Sequence, residues 1–137
     1  MKVNIYLETD RYSQAQEKRK YGYVIETVIK DQTITREGFG QAEGTLHNVI
    51  LRALAEAMER FRSECEVCVH TKDVFVASRI RRLREMAAAG FLDKKGIKIK
   101  NADEWEQIHR KAEECGIVFF GRNRETPVFW MDGRGDE

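Results

Sequence analysis

The sequence predicts an α/β domain: a mixed five-stranded sheet with helices on its faces, in the order β-β-β-α-β-α-α-β. Three observations predict it. Apolar and period-2 segments follow one another through residues 3–39, as in an antiparallel meander. Residues 46–61 then carry apolar side chains at helical spacing. From residue 66 to residue 120, strand and helix patterns alternate, which calls for a sheet with helices packed against it.

The elements follow in order. Val3, Ile5 and Leu7 alternate with Lys2, Asn4 and Tyr6 to give the first strand. After a polar connection, residues 21–29 and 33–39 form two more runs, with Asp31-Gln32 as the polar break suited to a hairpin turn. Gly38, Gly40 and Gly44 read as a loop. Thr45 can cap a helix that reaches about residue 62, because Leu46, Ile50, Leu54, Met58 and Phe61 share one stripe. Residues 66–70 give a fourth strand and 74–89 a second helix, ended by Gly90. A basic segment, 91–100, leads to a third helix over 102–115, with Trp105, Ile108 and Ala112 on one side. Gly116 closes it, and 117–120 is the fifth strand. Residues 122–137 hold Pro127 and an apolar run, 128–131, without a helical period, and read as a tail behind a domain of residues 1–121.

A chain of 137 residues is long enough to bury a core without metal or disulfide staples. The net charge of +1 argues against a uniformly basic nucleic-acid binder, but a phosphate responds only to the local field. No apolar stretch approaches the roughly 20 residues of a membrane span. The strand pattern begins at once, so no export signal is expected and the cytoplasm is the expected location. Cys65 and Cys68 have C-x-x-C spacing, yet no second Cys or His pair completes a zinc set, so both read as reduced structural thiols.

Several strings, in this order, resemble those of one family. Val67-Cys68-Val69-His70-Thr71 leading into Val74-Phe75-Val76-Ala77 is similar to a fourth strand and its turn. Asn101-Ala102-Asp103-Glu104-Trp105 is similar to the entry of a late helix, and Gly116-Ile117-Val118-Phe119-Phe120 to the strand after it. The pairs Ala53-Leu54 and Ala57-Met58 match a small-and-large repeat on the long helix. Together they resemble ribonuclease H of type 1, over residues 1–121.

The resemblance implies cleavage of the RNA strand of an RNA–DNA hybrid by two Mg²⁺ ions, or Mn²⁺, held by four carboxylates. Two divalent ions about 4 Å apart need that much negative charge. Glu8 stands at the position of the strand-one aspartate, with Asp10 two residues on. The family's second ligand is a glutamate in the first turn of the long helix, and registering the Ala-Leu repeat places Ile50 there. The third position, at the end of the fourth strand, is Lys72, with Asp73 next to it; a one-residue slip would bring Asp73 in. The fourth carboxylate begins a C-terminal helix that the tail does not suggest, although Asp132 and Asp136 lie there. The implied site is therefore degenerate, with Glu8, Asp10 and Asp73 as the catalytic and metal-binding candidates.

The resemblance also places a hybrid-gripping basic protrusion on Arg79, Arg81, Arg82, Arg84, Lys94 and Lys95, where cations would meet phosphates without reading sequence. The alternative is a solvated helix face whose cations pair with Glu85 and Asp93. His47 reads as a surface residue at a helix start, His70 as a polar residue near the site, and Trp105 as a core anchor. Three functions stay open: a module that binds hybrid or duplex with impaired or lost hydrolysis, an active metal-dependent nuclease with a rearranged site, and a protein-interaction domain.

Overall fold

The computed structural model describes residues 1–123. Its elements are β1 (Lys2–Thr9), β2 (Glu17–Ile29), β3 (Gln32–Gly44), α1 (Leu46–Met58), β4 (Cys65–Thr71), α2 (Val74–Arg79), α3 (Leu83–Ala88), α4 (Ala102–Cys115) and β5 (Ile117–Asn123). The strands form one sheet in the order β3-β2-β1-β4-β5. Short connections leave β1, β2 and β3 antiparallel, whereas helical crossovers make β1, β4 and β5 parallel. The predicted mixed sheet is present, with β1 beside β4.

Strand alternation sets what each face of the sheet carries. Val3, Ile5, Leu7, Val67, Val69, Ile117 and Phe119 turn toward α1 and α4 and join Leu51, Leu54, Met58, Trp105 and Ile108 in one buried core. Trp105 is fully buried, in the anchoring position its helical spacing predicts.

Several boundaries differ from the sequence reading, each for a local reason. The hairpin turns at Lys30-Asp31, not Asp31-Gln32: Ile29 pairs with Gln32, and both turn residues have positive φ, 49° and 64°. Such a two-residue turn matches the twist of the strands it joins. Gly38 and Gly40 lie inside β3 rather than in a loop. They face Tyr23 and Tyr21 across the ladder, and those rings fill the space a Cβ would need. The long helix stops at Met58, short of residue 62, because Glu59, Arg60 and Phe61 donate three residues back to Glu56, Ala57 and Met58.

The predicted second helix is broken into α2, a 3₁₀ turn over Ile80–Arg82 and α3. No Pro or Gly causes the break. Ala77, Ile80 and Leu83 are all buried, and a spacing of three falls on one face only where the helix tightens to three residues per turn. α2 sits directly on the edge strand: a Cβ at Gly121 would collide with the carbonyl of Ala77. β5 continues two residues past the expected domain end; Pro127, the 128–131 run, Asp132 and Asp136 lie outside the described residues. No helix among the described residues is long and apolar enough to cross a membrane.

Candidate functional site

β1 and β4 run parallel and side by side, so their C-terminal ends deliver side chains to one corner of the sheet. Glu8 arrives there from β1 and is buried, with 2% of its surface exposed. Asp73, just past β4, is also buried and caps α2. Its Oδ1 accepts from the Val76 N–H at 3.2 Å, and its own N–H donates to Thr71 Oγ1 at 3.0 Å. Its second oxygen, Oδ2, is 2.7 Å from His47 Nδ1. Thr45 caps α1 through the Asn48 N–H and thereby fixes His47 in the first turn, facing this corner. The His47 ring stacks on Phe75 at 4.5 Å, and the Arg79 guanidinium lies 3.9 Å from the centre of the same Phe75 ring.

Tyr12 covers the corner from the β1–β2 connection. Its hydroxyl donates to Glu8 Oε1 over a long 3.5 Å, and Lys72 Nζ is 5.1 Å from its ring centre. Burial raises the Tyr12 phenol well above the ordinary tyrosine range, the Glu8 carboxylate raises it further, and Asp73 adds a smaller effect. Arg19 holds that connection in place from beneath. Only 1% exposed, it donates to the carbonyls of Arg11 at 2.6 Å, Ser13 at 2.8 Å and Gly44 at 3.1 Å, and also to that of Ala15.

The structure therefore brings Glu8 and Asp73 together and leaves Asp10 out. Asp10 is exposed; its carboxylate accepts from the Lys20 N–H at 2.9 Å, and its N–H donates to the Lys20 carbonyl at 3.1 Å. It extends the β1–β2 ladder. Among the described residues, no three His, Cys, Asp or Glu side chains are grouped so as to hold a metal ion.

Two sequence assignments change. Ile50 does not face the corner; it is fully buried in the core beneath the sheet. The α1 residue at the corner is His47, which the sequence pattern alone puts on the surface. Its signal is legible all the same: with Thr45 as cap, His47 is in the first turn and Ile50 in the second. His70 also moves. It points to the other face of the sheet, stacked on Tyr6 at 4.6 Å and 14°, with Nε2 2.9 Å from Asn4 Oδ1. Cys65 and Cys68, three apart on a strand, fall on opposite faces: Cys65 is in the core, where burial raises its thiol, and Cys68 is half-buried on the outer face.

The six basic candidates do not act as one patch. Arg79 is half-buried against Phe75. Arg82 is exposed and paired with Glu85 at 3.3 Å. Arg81 and Arg84 line a hollow beside β5 and α4. Lys94 and Lys95 are exposed on the tight turn that Asp93 organises by accepting from the Lys95 and Ile97 N–H groups. Phe91 is buried next to that turn, edge-on to His109 at 6.0 Å.

No family model matches this chain, and no curated protein does. Solved structures do. The foamy viral protease-reverse transcriptase in complex with RNA/DNA hybrid superposes with a TM-score of 0.65 at 12% identity, over 98% of this chain and 18% of that one. LC9-RNase H1, a type 1 RNase H with the type 2 active-site motif, gives 0.66 at 16% identity, over 87% of this chain and 61% of that one. The solution structure of the PFV RNase H domain gives 0.62 at 15% identity, covering 92% and 80%. The chain thus spans about a fifth of the first of these proteins and less than two thirds of the second. Strand order, crossovers and these superpositions agree: the chain has the ribonuclease H fold.

Proposed function

We propose that this chain is a ribonuclease H-like module that holds duplex or RNA–DNA hybrid by its backbone, with impaired or lost hydrolysis. The observation that carries the second half is the commitment of Asp73. One of its oxygens caps α2 and the other meets His47, so neither is turned toward a shared cation. Lys72 brings an ammonium to the strand end where the resemblance puts a ligand, and Asp10 is spent on the β2 backbone. This donor set does not fit a pair of Mg²⁺ or Mn²⁺ ions, which need hard oxygen ligands with little competing positive charge.

The first half is supported by two things. One similar protein is described in complex with RNA/DNA hybrid, and that similarity, at 12% identity, raises the class without assigning the substrate. On this chain, Lys94 and Lys95 project from a turn, and no ion pair joins them to a carboxylate among the described residues. Cations so placed suit phosphate contacts.

Fluorescence anisotropy with a labelled hybrid tests the binding. Affinity should fall as salt rises, and Lys94→Ala with Lys95→Ala should flatten the salt slope by about one unit for each phosphate no longer neutralised. Absence of binding at about 50 mM salt, where phosphate contacts are strong, would favour the protein-interaction reading.

A further inference from the structure

The face of the sheet opposite α1 and α4 carries an open cleft of about 630 Å³ among the described residues. Its floor is built by strand register. Asn4, Cys68 and Phe120 lie side by side across β1, β4 and β5, flanked by the row of Tyr6, His70 and Arg122. The polar part of the floor is braced: Asn4 Nδ2 donates to Glu26 Oε1 at 3.1 Å, and His70 Nε2 meets Asn4 Oδ1 while its ring stacks on Tyr6. Phe120 stands out of this floor with 47% of its surface exposed. Lys2, Arg81 and Arg122 rim the cleft against one acid, Glu66, which is the register partner of Lys2.

We propose that this cleft binds a single-stranded nucleic acid segment, one base stacking on Phe120 and its flanking phosphates meeting Arg81 and Arg122. An aromatic ring on a sheet face offers every base a π-surface, and an unpaired strand leaves its bases free to reach it. A duplex cannot do so, because its bases are stacked inside. The excess of cations over acids at the rim matches a phosphate backbone better than a neutral or acidic partner. Arg81 belongs to this cleft, which separates it from Lys94 and Lys95 on the turn beyond α3. The assignment does not rest on the hybrid-binding reading.

The test is anisotropy with a fluorescent single-stranded oligonucleotide of about 12 nucleotides, within the usual site-size range, on the full chain. Phe120→Ala should weaken binding about tenfold, the usual loss of one stacking platform, with thermal stability unchanged. Arg81→Ala with Arg122→Ala should weaken it and reduce the salt slope by about two units. Both sets should leave hybrid affinity within about twofold, and Lys94→Ala with Lys95→Ala should do the reverse. A wild type that ignores the single strand at about 50 mM salt overturns the proposal. So does unchanged binding in both Phe120→Ala and the double arginine variant, or displacement of the single strand by one equivalent of hybrid.

Discussion

His47 Nδ1 and Asp73 Oδ2 are 2.7 Å apart, and this pair ties the first turn of α1 to the end of β4. Because Asp73 is almost fully buried while His47 is partly exposed, removing the ring leaves a buried carboxylate oxygen without it.

His47→Ala should therefore destabilise the fold by about 1–3 kcal/mol, the cost of orphaning a buried polar group. Asp73→Ala should cost a further cap, about 1 kcal/mol, whereas Asp73→Asn should keep most of the cap. Urea denaturation of the two alanine variants and their double mutant measures the coupling. We expect more than about 1 kcal/mol, and a value near zero would show that the pair does not join the elements.

Arg19 is a buried cation held by carbonyls rather than by a carboxylate. Arg19→Lys keeps the charge but cannot reach three directions at once. It should lose more than about 2 kcal/mol by denaturation and release the Tyr12 connection, seen as faster amide exchange over residues 11–16.

The Tyr12 phenol is raised above its ordinary value of 10.0, chiefly by burial and then by Glu8. A raised folded value means that the native state keeps its proton longer than the unfolded chain does. The stabilising contribution is complete below pH 10.0 and is lost as pH rises through the folded value. Stability should fall in that alkaline window and fall less steeply in Tyr12→Phe. Tyr21, also raised by burial and then by Glu56, contributes with the same sign and serves as the comparison through Tyr21→Phe.

The fold is legible in the sequence because hydrophobic period encodes it directly. Ala102–Cys115 matches its sequence bounds to the residue, since Trp105, Ile108 and Ala112 mark its face and Gly116 its end. What escapes depends on partners far away in sequence. Gly38 and Gly40 look like loop residues until Tyr23 and Tyr21 are seen across the ladder. The 3₁₀ turn follows from what Ala77, Ile80 and Leu83 bury against, which no local pattern announces. In the site, Glu8 and the cap role of Asp73 follow from strand ends. His47 is displaced by a repeat match that favours Ile50 over the first-turn position fixed by Thr45.

That correction separates two engineered variants. Ile50→Glu places a carboxylate in a fully buried site and should cost more than about 4 kcal/mol, or prevent folding. His47→Glu with Lys72→Asp puts two carboxylates at the corner beside Glu8. It should fold and gain Mn²⁺ binding in calorimetry, whereas the wild type should bind far more weakly. Equal Mn²⁺ affinity in both would mean that His47 and Lys72 do not block the corner.

The most direct test follows cleavage of a labelled RNA–DNA hybrid with Mg²⁺ in the same solution in which its binding is measured. The account predicts hybrid bound at low salt and cut at least about a thousandfold more slowly than by a competent ribonuclease H, because the charge that holds a second ion is missing. Turnover within about tenfold of such an enzyme, abolished by Glu8→Ala, would contradict it.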